Sequence, residues 1–454
     1  MFSVRTRGGI RMKGISFSFE ASLVPHERIV QSAERLRPEI RKMASAISKG
    51  YSDDRASINL CDDKNMLSKV KQAVRNKLRL KPEYLVVVGI GGSNLGTKAV
   101  QEAVLGKLYN QLTPSTKVLY ADTVDPDYLN NILALVEPVL EREHNVVLCI
   151  VSKSGTTTET VANAEVLIES LTKHGKNYQK CVVVISDKGS KLWKIALREG
   201  FNVLEIPERV GGRYSVFSPV GLFPLGLLGI NIDELLDGAK SMRDACVDTN
   251  IERNPAAISA TIQYIHHEAG KSVSDLFLFA NDLESLGKWC RQLMAESLGK
   301  EFSKKGAMAN VGITPTVSIG STDLHSMAQL YLGGPCDKFT TFVSVENNNS
   351  HVNVPRLDGY SRLVDGIQGK SLADIMDAIL EGTKEAFRKG GRPFMEIGLP
   401  CKSEYFLGQF LQFKMMETMY LACLLDVNPF DQPNVESYKE ETRKILQKKN
   451  DVDD

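Results

Sequence analysis

Apolar residues in this chain recur in two rhythms that trade places repeatedly. Short unbroken apolar runs, rich in β-branched residues, fall at Tyr84–Val88, Lys117–Tyr120, Val146–Val151, Cys181–Ile185 and Asn202–Ile206. Runs of this length and composition predict buried strands. Between most of them the apolar positions take helical spacing, as at Thr158–Thr172 and Lys191–Glu199. Residues 26–80 read as largely helical, with Ile29, Ala33, Leu36, Ile40 and Met43 in phase. The alternation then starts again. Leu276–Phe279, Thr316–Ile319 and Thr340–Val345 predict strands, with helices over Leu286–Lys304 and His325–Leu332. A last amphipathic helix is expected at Asn434–Lys448, and the acidic tail Asp451–Asp454 is expected to fray. Strands alternating with helices predict an α/β fold built on doubly wound parallel sheets. Two such units are expected, 50–245 and 246–425, preceded by an extension with helices (1–49) and followed by a loop, helix and tail (426–454). No low-complexity linker separates them, so they are expected to pack together.

Composition narrows the function classes. Of 454 residues, 43% are hydrophobic and 24% charged, and 56 basic against 55 acidic residues leave a net charge of +1. Bulk electrostatics therefore point to neither a nucleic-acid nor a membrane partner. Eight cysteines stand singly, several in apolar runs and none in a C-x-x-C pair, which fits a reducing cytoplasm. The N-terminus is basic at Arg5, Arg7, Arg11 and Lys13 but lacks an apolar h-region, so no signal peptide is expected. Met12 offers an alternative start, which would leave 1–11 as a dispensable extension.

Chemistry concentrates in loops. After the run Val146–Val151, six of the nine residues from Ser152 to Thr160 are Ser or Thr, joined by Lys153, Gly155 and Glu159. Hydroxyls and amides at a strand end and helix start suit a dianion such as a phosphate, and they equally suit an ordinary turn and cap. The loop GIGGSNLG, 89–96, also joins a strand to a helix, with Ser93 or Asn94 as cap. It misses the P-loop pattern, because Thr97-Lys98 reverses the final pair. It misses the dinucleotide fingerprint, because Asn94 replaces the third glycine. In ERVGGRYSVFSPVG, 208–221, Gly211-Gly212 precede Arg213, a fixed cation able to stabilise developing oxyanion charge or to bind carbonyls structurally. Glu296 extends the apolar stripe Leu286, Trp289, Leu293 of a predicted helix, where a half-buried carboxylate suits a general base. His325 follows the strand Thr316–Ile319, with Ser321 or Thr322 as helix cap, and is suited to proton shuttling. The other six histidines show no metal-ligand spacing. In PFDQPNVESYK, 429–439, Pro433 suits a first helical turn and Lys439 the second.

Taken together, ERVGGRYSVFSPVG, FDQPNVESYK, GIGGSNLG, SKSGTTTET, ESLGK and TDLHSMAQ resemble the phosphoglucose isomerase family in content and order, over about residues 80–440. DLHSMAQ and FDQP resemble its bacterial-type branch. The resemblance implies two sugar-isomerase domains and isomerisation of glucose 6-phosphate to fructose 6-phosphate. It implies Glu296 as the base moving a proton between C2 and C1, and Arg213 as stabiliser of the cis-enediolate. His325 and Lys439 would assist ring opening, with His325 supplied across the interface of a homodimer. Ser152, Ser154 and Thr157 would hold the phosphate beside Lys153, while Gly92, Ser93 and Gln432 would line the sugar. No metal or organic cofactor is implied. Two positions depart from the family pattern: Asn434 stands where glycine is usual, and Ser154 where threonine is common. A dual phosphoglucose/phosphomannose isomerase is a related alternative. A non-catalytic sugar-phosphate regulator is a more distant one, since it would be expected to lack the Glu, Arg and His present here.

Overall fold

A computed structural model describes residues 9–11, 14–174 and 177–450; the alternative start at Met12 and the tail Asp451–Asp454 lie outside these residues. Two short strands come first, β1 (Gly9–Arg11) and β2 (Ser16–Ser18), and the helices His26–Ala33, Arg37–Ala46 and Lys64–Leu78 follow. The first sheet comprises β3 (Tyr84–Val88), β4 (Lys117–Ala121), β5 (Val146–Val151), β6 (Val182–Asp187) and β7 (Asn202–Ile206). Its order is β4-β3-β5-β6-β7 and every pairing is parallel. All residues of β3 and β5 are buried, as expected where helices cover both faces.

The second half supplies β8 (Val273–Leu278), the hairpin β9 (Lys300–Phe302) and β10 (Met308–Val311), β11 (Thr314–Ile319), β12 (Lys338–Val345) and β13 (Phe394–Leu399). The second sheet runs β1-β2-β13-β12-β8-β11. Its β13-β12-β8-β11 portion is parallel, and β2 pairs antiparallel with β13. In the first sheet and in the parallel portion of the second, the second strand in chain order lies outside the first, and the later strands continue on the other side. The two halves are wound alike although their sequences scarcely resemble each other.

Several elements depart from the hydropathy reading. β1 and β2 are too short to show a period, yet Phe17 of β2 is buried against the Phe413 ring at 5.7 Å. The N-terminal segment thus completes the second sheet. The helix expected over Leu286–Lys304 ends at Leu298, because Gly299 turns extended and Gly306 takes φ +78° to close the β9–β10 hairpin. The helix expected from His325 is instead a 3₁₀ turn, Thr322–His325, followed by Ala328–Gly333. Neither Ser321 nor Thr322 caps it; Asp323 instead accepts from the Ile319 amide at 2.7 Å. The helix Glu404–Leu424, buried on nearly every side, lies against Ile232–Cys246 and Pro255–Glu268. A Cβ on Gly238 would fall 1.9 Å from the Tyr405 carbonyl oxygen, so glycine permits that helix crossing. One continuous core runs from Ile15 to Val427 and joins the two halves.

Candidate active site

Open α/β sheets leave a crevice where the strand order reverses. In the first sheet that point lies between β3 and β5, whose following loops are the glycine loop 89–96 and the hydroxyl loop Ser152–Thr160. Ser152 is buried; its Oγ lies 2.9 Å from Thr157 Oγ1 and accepts from the Gly155 amide at 3.1 Å. Buried Ser186 donates to the Ser152 carbonyl at 2.6 Å. Gly155 takes φ +68°, and a Cβ there would come within 2.9 Å of Leu192 and Ser190. The loop therefore presses on the start of helix Lys191–Arg198 in a way only glycine allows. Ser154 is exposed, its Oγ accepting from the Thr156 amide at 3.3 Å. Helix Thr158–His174 starts immediately afterwards, directing its free amides toward the loop. Lys153 donates to the Glu208 carbonyl at 2.6 Å. Nearby, burial pushes the Asp187 carboxyl up to about 6, against the pull of Lys153.

Gly92 joins this crevice to the arginine. A Cβ on Gly92 would fall 2.3 Å from the Gly212 carbonyl carbon and 2.6 Å from the Arg213 nitrogen, so two backbone turns touch there. Gly211 keeps φ −67°, and a Cβ on Gly211 or Gly212 would meet its nearest neighbour only at 3.7 or 3.8 Å, so the close approach demands glycine at 92 rather than at this pair. Ser93 is half-buried in the 3₁₀ turn Gly91–Ser93. Asn94 occupies the expected cap position but donates to Asp122 at 3.0 Å instead of capping.

Arg213 is 2% exposed and uses all five of its N–H donors. Nε donates to Ser297 Oγ at 2.8 Å. Nη1 donates to Glu296 Oε2 at 3.0 Å and Gln432 Oε1 at 2.8 Å, and Nη2 to the carbonyls of Pro429 at 2.5 Å and Asp431 at 3.1 Å. Glu296 sits in the last turn of helix Glu284–Leu298, above buried Leu286, Trp289 and Leu293, and its side chain keeps 34% exposure. Its second oxygen accepts from Gln292 at 2.8 Å. A carboxylate between a guanidinium and an amide is fixed in direction yet open to the cleft.

Arg213, Glu296 and Gln432 are thus brought together from positions far apart in the chain, with Gly92 against Arg213. His325 and Lys439 are not joined to this cluster by any hydrogen bond among the described residues. His325 is exposed, and Lys439 pairs with Glu436 at 2.7 Å. Sequence reasoning missed Ser297, Gln292, Lys300 and Asp431. Gln292 is legible in retrospect, since it lies four residues before Glu296 on the same helix face. Ser297 directly follows Glu296 and also bonds Tyr214 at 2.9 Å. The described residues contain no group of three or more His, Cys, Asp or Glu able to hold a metal.

Comparison with known proteins shows the family and the fold. A family model described as phosphoglucose isomerase matches residues 73–453, and the chain belongs to that family. A glucose-6-phosphate isomerase of Carboxydothermus hydrogenoformans is 35% identical over 388 residues, covering 84% of this chain and 82% of that one. A probable glucose-6-phosphate isomerase of Methanococcus maripaludis is 34% identical over 364 residues, covering 80% and 78%. Among solved structures, a hypothetical protein from Thermus thermophilus superposes with TM-score 0.82 at 29% identity, covering 95% of this chain and 99% of that one. A glucose-6-phosphate isomerase from Chlamydia trachomatis shares the fold with TM-score 0.84 at 20% identity, covering 98% and 90%.

Proposed function

We propose that this chain interconverts glucose 6-phosphate and fructose 6-phosphate by ring opening and proton transfer through a cis-enediolate. The observation that carries the reading is the Glu296–Arg213 pair at 3.0 Å, a buried guanidinium holding a carboxylate whose side chain keeps 34% exposure. The relatives' names support the substrate.

A proton α to a carbonyl is too weakly acidic for an unaided carboxylate. Its removal needs positioning and a fixed donor where negative charge develops. Both Nη1 donors of Arg213 are taken by Glu296 and Gln432, so a sugar oxygen that displaces one of these acceptors takes its hydrogen bond from a rigid, always-charged group. Glu296 then carries the proton between C2 and C1. One oxyanion donor is worth roughly 2.7–4 kcal/mol. Ser152, Ser154 and Thr157, with Lys153 alongside, hold the phosphate; Gly92, Ser93 and Gln432 line the sugar. His325, supplied by the partner in a homodimer, and Lys439 move protons during ring opening. A cytoplasmic location goes with this reading; no helix among the described residues is long and apolar enough to cross a membrane.

Glu296→Gln tests the base in a coupled assay on fructose 6-phosphate. Loss of a general base is expected to lower kcat by about 10²–10⁴-fold with sugar-phosphate binding retained. Turnover near wild type would falsify the assignment.

A further inference from the structure

Lys300 opens β9, just past the helix that carries Glu296. Its side chain is 5% exposed, and its ammonium faces three oxygens: the Glu296 carbonyl at 2.9 Å, the Asp431 carbonyl at 2.5 Å and Asp431 Oδ1 at 3.2 Å. Burial holds its pKa below the ordinary lysine range, with the Asp431 partner opposing that shift. Burying an ammonium is costly unless its donors are met, and here one oxygen is available for each.

The partner loop is the one that completes the site. The Asp431 carbonyl is shared with Arg213 Nη2, and the next residue, Gln432, accepts from Arg213 Nη1. Beside Lys300, Glu301 accepts from the Asn434 side-chain amide at 2.7 Å, a contact glycine at 434 would not make. The loop Pro429–Asn434 is therefore held from two sides, by Arg213 and by β9.

We propose that Lys300 is a positioning residue for the isomerisation: its ammonium ties the turn bearing Glu296 to Asp431. It thereby keeps Gln432, and the segment leading to Lys439, aligned with Arg213 and Glu296. The inference rests on the reading of Glu296 and Arg213 given above. It separates from a merely structural role because misplacing reacting groups lowers turnover of folded enzyme, whereas lost stability alone does not.

Lys300→Met keeps the aliphatic stem and removes the donors. In the folded variant kcat on fructose 6-phosphate is expected to fall roughly 10–100-fold while KM shifts less than about threefold, since the phosphate loop is untouched. Lys300→Arg is expected to recover most of kcat. Wild-type kcat in folded Lys300→Met, or a rise in KM without loss of kcat, overturns the inference. If Lys300→Met does not fold, Asp431→Ala, at a side chain 52% exposed, decides the matter. Reduced kcat at constant KM then supports the tie, and unchanged kcat overturns it. Glu296→Gln is measured alongside. Near-normal turnover there defeats the base assignment itself. An inactive Glu296→Gln beside an unimpaired Lys300→Met defeats only the role of Lys300.

Discussion

Arg213 shows how much a single side chain can organise. Its five donors meet five oxygens from two separate stretches of chain, so one guanidinium sets the relation between Glu296, Ser297 and the loop Pro429–Gln432. The chemical type of each such residue is legible in the sequence: a fixed cation after two glycines, a carboxylate on an apolar stripe, a cluster of hydroxyls. Their partners are not, because Gln432 and Arg213 stand 219 positions apart. Ser152 carries its own prediction. Its hydroxyl is fixed by Thr157 and the Gly155 amide, and the proposed reading has it hold the substrate phosphate. A hydrogen bond to a charged group is worth roughly 1.5–3 kcal/mol. Ser152→Ala with Thr157→Ala should therefore raise KM about tenfold or more and leave kcat comparatively unaffected. Steady-state kinetics that show an unchanged KM would remove both residues from the phosphate site.

At the scale of elements, most strands of five or more residues were readable, the six-residue β13 was not, and the shortest strands were not. Val146–Val151 and Asn202–Ile206 stand as the apolar runs predict. β1, β2 and the β9–β10 hairpin carry three or four residues each, too few for a rhythm to emerge. The hairpin matters for the site, since it delivers Lys300. Contact between turns also escapes local patterning. In the glycine loop, Gly92 lies so close to the Gly212–Arg213 backbone that a Cβ there would clash with it. Gly92→Ala would force the two turns apart. It should lower kcat/KM markedly while far-ultraviolet circular dichroism stays close to that of the parent. Normal kinetics in that variant would mean the turns can separate without moving Arg213.

Across the whole molecule, the N-terminal segment is fastened to the second sheet and its covering helices. His266, buried in helix Pro255–Glu268, places Nε2 2.7 Å from the Ser22 carbonyl oxygen and stacks on Phe339. Burial lowers its pKa from 6.5 to about 4, with the Ser22 contact opposing. The unfolded chain then binds more protons between those values, so this contribution to stability is complete above pH 6.5 and is lost as pH falls toward 4. His266→Gln should flatten the dependence of Tm on pH across that interval; an unaltered slope would place the acid sensitivity elsewhere. The sequence by itself determined the alternation of strands and helices and the family. It also determined the kinds of chemical group at each loop, because these depend on local composition, periodicity and short motifs. Only the tertiary structure decided which groups meet. The repeated strand order, the N-terminal strands on the second sheet, the five acceptors of Arg213 and the oxygen cage of Lys300 all depend on long-range packing and close backbone approach. Those contacts form only once the continuous core from Ile15 to Val427 has brought distant segments together.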